Sequence, residues 1–131
     1  MTVDVLAVVE AWQNAASAKD VEGLLAVSDP NIEVVGPRGS AHGHQILREW
    51  IRRAGLQLHL RRAFVRGDVV VVEQDAVWHS VETGAKLSES VIASVFHVAD
   101  ERVTYFSRHE TLESALEEAE LTEDDAVPLI E

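Results

Sequence analysis

The residues with chemistry to offer sit inside segments that otherwise read as strands: Gln74, Asp75, Trp78 and His79 in one, Glu89 and His97 in the next, Arg108, His109 and Glu110 in the last. Carboxylates, imidazoles and a guanidinium are the parts of acid–base chemistry. Burying a charged group costs several kcal/mol unless it is paired, so these residues either face water or are held for function. Other chemistries lack their signatures: there is no phosphate-binding glycine loop, no nucleophile elbow and no His-Glu-x-x-His. His42 and His44 stand two apart in a Gly-rich loop, but a metal site needs three or four ligands in defined geometry, so no metal and no cofactor is expected. Arg38, between Pro37 and Gly39, is either an exposed turn residue or a guard at a pocket mouth.

The elements that must position these groups follow from periodicity. Val5, Val9, Trp12 and Ala16 recur at helical spacing, as do Val21, Leu24 and Leu25, and then Ile46, Leu47, Trp50, Ile51 and Ala54. Asp20 suits the N-cap of the second helix, and Asp29-Pro30-Asn31 is expected to close it. A first strand is expected over Ile32–Val35. Alternating, β-branched runs at about 57–66, 69–80, 86–99 and 102–109, separated by turn residues, predict an antiparallel meander. Thr111 can cap a short last helix with Leu112, Ala115, Leu116 and Ala119 as its apolar stripe. The fold class is therefore α+β, with three N-terminal helices on a strongly curved mixed or antiparallel sheet that forms a pocket. Trp12, Trp50 and Trp78 belong either to that pocket's wall or to the core.

With 131 residues, 47% hydrophobic and 26% charged, the chain fits one domain spanning 1–131. No apolar run approaches the roughly 20 residues of a membrane span, and residues 1–18 lack a signal-peptide pattern, so a cytoplasmic protein without membrane partners is expected. The absence of cysteine fits a reducing compartment. Net charge is −12, and residues 113–131 hold eight acids and no base. Such a balance repels polyphosphate, which argues against nucleic acid as a partner. The arginines at 48, 52, 53, 61, 62 and 66 then form a solvated face or a dock for the acidic tail, with an anion site as the lesser alternative; the tail from about residue 121 is expected to be flexible. Val127-Pro128-Leu129-Ile130 is the part of it that could dock.

Asp20-Val21-Glu22-Gly23-Leu24-Leu25, Ile32-Glu33-Val34-Val35-Gly36-Pro37, Gly43-His44-Gln45-Ile46-Leu47-Arg48-Glu49-Trp50 and Glu101-Arg102-Val103, in this order and spacing, resemble the SnoaL-like group of the nuclear transport factor 2-like superfamily. The likeness runs from about Val5 to Leu121. It implies a cone with a deep apolar pocket, a small hydrophobic ligand as partner, and a homodimer formed through the convex face. The superfamily holds enzymes and non-enzymatic binders alike, so fold does not give the reaction. Against the ketosteroid isomerases the catalytic tyrosine falls at Trp12, the base at Gly36 and the protonated aspartic acid at Ala93, which argues against that mechanism.

The resemblance to SnoaL-type cyclases implies a base just ahead of the last helix and a histidine on the preceding strand, positions approximated by Glu110 and His97. Glu110 would take a proton from the carbon beside a carbonyl, with His97 or Arg108 steadying the enolate, in a cofactor-free cyclisation, isomerisation or dehydration. The competing reading has Glu110 paired with Arg108 or His109, or simply placed near a helix N-terminus. On pattern alone either face of the third meander strand can be the inner one. The isomerase comparison turns Ala93 inward, and with it Glu89, Val91, Val95 and His97; Gln74, Phe106 and the tryptophans complete the expected pocket. Ile92 and Phe96 would then face a dimer partner. A non-catalytic dimeric module for an apolar ligand or a protein is the alternative function.

Overall fold

A computed structural model of the chain describes residues 4–36, 39–53 and 55–128. Helix α1 (Val5–Ser17) begins where the Asp4 carboxylate accepts from the backbone N–H groups of Leu6 and Ala7 at 3.1 and 3.2 Å. The cap satisfies donors that a helix start otherwise leaves free. Helix α2 (Val21–Ala26) is capped in the same way by Asp20. It stops before the expected Asp29-Pro30-Asn31, because those three residues already belong to strand β1 (Ser28–Gly36). Proline is tolerated there because the β1 ladder is irregular between Ser28 and Glu33.

The Gly-rich loop contains a strand that periodicity did not predict, β2 (Gly39–His42), which pairs back on β1. Helix α3 (His44–Arg53) follows. The meander is β3 (Gly55–Arg66), β4 (Val69–His79), β5 (Lys86–Ala99) and β6 (Arg102–His109), antiparallel throughout, and β6 returns to lie parallel to β1. Helix α4 (Leu112–Ala119) is capped by Thr111. The mixed sheet has the order β2-β1-β6-β5-β4-β3-β7, where β7 is Ala126–Val127.

Both faces of the sheet are covered, and this decides where side chains point. On one face Trp12, Leu24, Ile32, Leu47, Val70, Val72, Phe96 and Phe106 form the main core with α1, α2 and α3. On the other, α4 lays Ala115, Leu112 and Leu116 over Phe64, Val71, Ala93 and Val95. Ala93 and Val95 are thus under α4, and Ile92 and Phe96 point to the α1 side, the reverse of the expected parity. The physical reason is that β5 is buried on both sides from Ile92 to Phe96, so hydrophobic alternation, the signal that marks an inner face, is erased. A shift of one residue exchanges the two faces. The exposed large apolar residues of this strand are Leu87 and Val91, not Ile92 or Phe96, which are buried on the α1 side.

The acidic tail is not free through residue 128. Glu123–Asp125 form a single 3-10 turn, Ala126 and Val127 pair with Phe64 and Ala63, and Arg62 and Arg66 bind Glu123 and Asp125. Of the suggested docking segment, Val127 is placed by this pairing, whereas Leu129 and Ile130 lie outside the described residues, as does Arg38. Among the described residues no helix is long and apolar enough to cross a membrane.

Two outcomes follow from these contacts. A Cβ at Gly55 would collide with the His79 carbonyl, whereas one at Gly36 meets nothing within 4 Å. Gly55→Ala is therefore expected to lower stability by about 1–3 kcal/mol and Gly36→Ala by less than about 0.5, measured by urea denaturation. Arg62 holds the Glu123 carboxyl below its ordinary pKa, and the Thr122 backbone N–H, then Arg66, do so for Asp125. A depressed folded-state pKa contributes stability above the unfolded value and loses it as pH falls through the folded one. Proteolysis within 120–128 should accordingly rise as pH drops below the usual carboxylate range, with no change between pH 6 and 8.

Candidate functional site

A cavity of about 270 Å³ opens between the end of β1, helix α3 and the α1-side face of the sheet. Val34, Val35 and Gly36 form one wall and Trp50 of α3 another. Leu56 and Leu58 come from β3, and Ile92 and Phe106 from β5 and β6. Three polar side chains enter this apolar lining: Gln74, Ser94 and Arg108. At roughly 30 Å³ per water the space holds about nine waters, hence a ligand of about ten non-hydrogen atoms.

The floor is set by Trp12. Its indole is fully buried, stacked against Phe106 (centroids 5.0 Å apart) and Trp50 (5.8 Å), with Phe96 edge-on at 5.3 Å. Its Nε1–H donates to Ser28 Oγ at 2.9 Å, and that hydroxyl donates to the Leu24 carbonyl at 2.7 Å. Trp12 therefore supports the cavity wall without lining it. Trp78 is half-buried beside the cavity and carries the Arg108 guanidinium 5.3 Å from its ring centroid, within cation–π range.

Gln74 is completely buried, and across the β4–β5 ladder the Ser94 hydroxyl donates to its Oε1 at 2.9 Å. Its Nε2 has no partner among the described residues. A buried amide donor left unpaired costs on the order of 1–3 kcal/mol, and a native structure that carries one needs a reason.

The expected acid–base pair is not assembled. His97 is exposed on the α4 side, stacked on Tyr105 at 4.6 Å and paired with it in the ladder. Glu110 is exposed one residue beyond β6, five residues along from Tyr105, which is roughly 16 Å of strand. The two groups cannot reach a common ligand atom. Glu89 is exposed and binds Lys86, and Val91 is exposed on the same outer side. Among the described residues lining the cavity there is no carboxylate and no imidazole. His44 Nε2 lies 3.0 Å from the Ser28 carbonyl, and among the described residues no three His, Asp or Glu converge as a metal site would require.

The remaining polar residues of β6 serve the opposite face. Ser107 Oγ donates to Glu118 Oε2 at 2.9 Å, Tyr105 donates to Glu118 Oε1 at 3.2 Å, and His109 lies 2.7 Å from Ser114 Oγ and 3.4 Å from Glu118. They tie α4 to the sheet, and burial pushes the Tyr105 hydroxyl's pKa up. Periodicity missed the cavity's Leu56, Leu58, Ile92 and Ser94. The usable signal was the alternation of Leu56, Leu58 and Leu60 in β3, which marks that face as apolar independently of β5.

Residues 9–106 match the family model of the SnoaL-like domain. No curated protein matches the sequence. Among solved structures the fold is similar to an NTF2-like protein of unknown function from Burkholderia pseudomallei K96243, at 19% identity and TM-score 0.71, covering 88% of this chain and 97% of that one. It is also similar to TerC co-crystallized with polyporic acid, at 21% identity and TM-score 0.70, covering 86% and 95%. An LEH-like epoxide hydrolase from M. tuberculosis aligns at 19% identity and TM-score 0.70, covering 86% of each chain. At these identities the likeness is one of fold.

The unpaired amide makes a prediction independent of any ligand. Replacing both partners of a buried polar pair by apolar groups removes the desolvation cost. The double variant Gln74→Leu/Ser94→Ala should raise unfolding free energy by about 1 kcal/mol or more in urea titration; a net loss would show that the pair stabilises the empty protein.

Proposed function

The chain belongs to the SnoaL-like domain family, and from that premise we propose that it is a small-molecule pocket protein, taking one compact, mainly apolar compound into the cavity between β1, α3 and the sheet. The observation that carries this reading is the fully buried Gln74, whose Nε2 is unpaired among the described residues, beside apolar walls. A ligand oxygen that reached the donor by displacing the side chains now covering it would satisfy it, and the free energy the empty protein forgoes would return as affinity. The TerC structure with polyporic acid supports ligand capture by this fold.

Binding is better supported than proton transfer. A general base must come within hydrogen-bond reach of the proton it removes, about 2.6–3.2 Å or one water away. No carboxylate or imidazole lines this cavity among the described residues. Arg108 and Gln74 could polarise a carbonyl, yet polarisation without a base does not complete an enolisation.

Acetophenone, uncharged and of about the right size, is a suitable probe. It should quench tryptophan fluorescence saturably, because Trp50 lines the cavity, and should raise Tm with concentration as ligand binding to the folded state requires. Gly36→Leu, which has room at Cβ and projects from the cavity wall, should abolish both effects. Glu110→Gln and His97→Ala should leave the affinity within about twofold. Saturable binding retained in Gly36→Leu would overturn this assignment of the site.

A further inference from the structure

The polar end of the cavity is one-sided. Ser94 takes one of the two lone pairs of Gln74 Oε1, while both N–H donors of Nε2 are unpaired among the described residues. Arg108 adds a guanidinium, which has donors and no acceptor. It is exposed at the rim, lies against the Trp78 ring and, like Arg48 and Arg102 but unlike Arg61, Arg62 and Arg66, makes no ion pair with an acid among the described residues. The lining thus presents two kinds of donor and one formal positive charge, with no described carboxylate to neutralise it.

Charge elsewhere does not reverse this. The net charge of −12 is concentrated in residues 113–131, and α4, which carries part of it, packs on the other face of the sheet. Glu33 pairs in the ladder with Tyr105, on the α4 side. At physiological ionic strength charges beyond about 8 Å are largely screened, so the local guanidinium governs the site.

Resting on the pocket assignment above, we propose that the ligand is a small organic anion: a planar, apolar body of about ten non-hydrogen atoms ending in a carboxylate, which accepts from Gln74 Nε2 and from the Arg108 guanidinium. A neutral carbonyl could accept from both groups but would leave the guanidinium charge uncompensated. A carboxylate has two oxygens, one for each donor, and hydrogen bonds to a charged acceptor are roughly twice as strong as neutral ones. The ring of such an acid would lie among Trp50, Phe106 and Ile92.

Trans-cinnamate and cinnamamide share shape and size and differ in charge, the acid being fully ionised at pH 7. By calorimetry at low salt, cinnamate should bind at least tenfold more tightly, and the advantage should shrink in 0.5 M salt. Arg108→Met, which keeps an apolar stem over Trp78, should erase most of the difference and leave cinnamamide binding in place. Equal affinities, or a preference surviving in Arg108→Met, would overturn the proposal while the pocket stands. A preference for cinnamamide would do the same, and would mean that Gln74 presents its oxygen. If acetophenone binds and cinnamate does not, only the anion assignment fails; if none of the three binds, the pocket assignment falls with it.

Discussion

The Trp12 indole is the contact on which the rest of this architecture depends. It sits on α1, yet its ring touches Trp50 of α3, Phe96 of β5 and Phe106 of β6, and its N–H reaches Ser28 at the start of β1. Through Ser28 the same chain of hydrogen bonds ends on the Leu24 carbonyl of α2. One side chain thus references three helices and three strands to a common point. Two residues of the cavity lining, Trp50 and Phe106, rest directly on it. Aromatic packing of this kind combines large buried area with preferred ring geometry, and the buried N–H allows one orientation because it must be paired. The cavity is a gap the cluster leaves open, held by side chains that are fully committed behind it.

Against that rigid floor, Gln74 is the local conflict. The rest of the lining obeys ordinary burial chemistry, with leucine, isoleucine, valine and aromatics turned inward. A β4 strand that reads Val70, Val72, Gln74, Ala76 on its α1 side would be more comfortable with an aliphatic residue at 74. Departures from local consistency concentrate at functional or strained sites, and this one is coupled to a second polar residue, Ser94. The Ser94 hydroxyl gives the buried amide one partner, at Oε1, and leaves Nε2 without one among the described residues.

Much of the fold was legible because its elements have strong periodic or terminal signals. The α1 stripe, the Asp20 and Thr111 caps and the turns around Gly67 and Asp100 locate helices and hairpins that the structure contains. The overlooked β2 is four exposed residues, Gly-Ser-Ala-His, without the pattern of a half-buried strand. The site was less legible for a different physical reason. Ile92, Ala93, Ser94, Val95 and Phe96 are all buried, so no polar face declares itself, and comparison with enzymes that carry an aspartate at the place of Ala93 pointed to the wrong side. On β6 the same comparison turned Phe106 and Arg108 inward, and both do line the cavity, while Tyr105, Ser107 and His109 face α4. Charge blocks made the arginines a candidate dock for the tail, but composition does not say which of them pair: Arg62 and Arg66 lie about sixty residues from the acids they bind.

That contrast along β6 also explains how one strand serves two ends without mixing them. Tyr105, Ser107 and His109 meet Glu118 and Ser114 of α4, and Phe106 and Arg108, between them, meet the cavity. A slip of one residue would carry Arg108 to the α4 side, beside Glu118, and bring Ser107 or His109 to the cavity. The guanidinium would then be neutralised by an acid of the chain itself, and the cavity would lose its charge. Register is held against that slip from both sides: Phe106 is locked into the Trp12 cluster and Ser107 into the α4 hydrogen bonds. The outer latch and the inner aromatic floor therefore act together, and what they jointly protect is the position of Arg108 at the cavity.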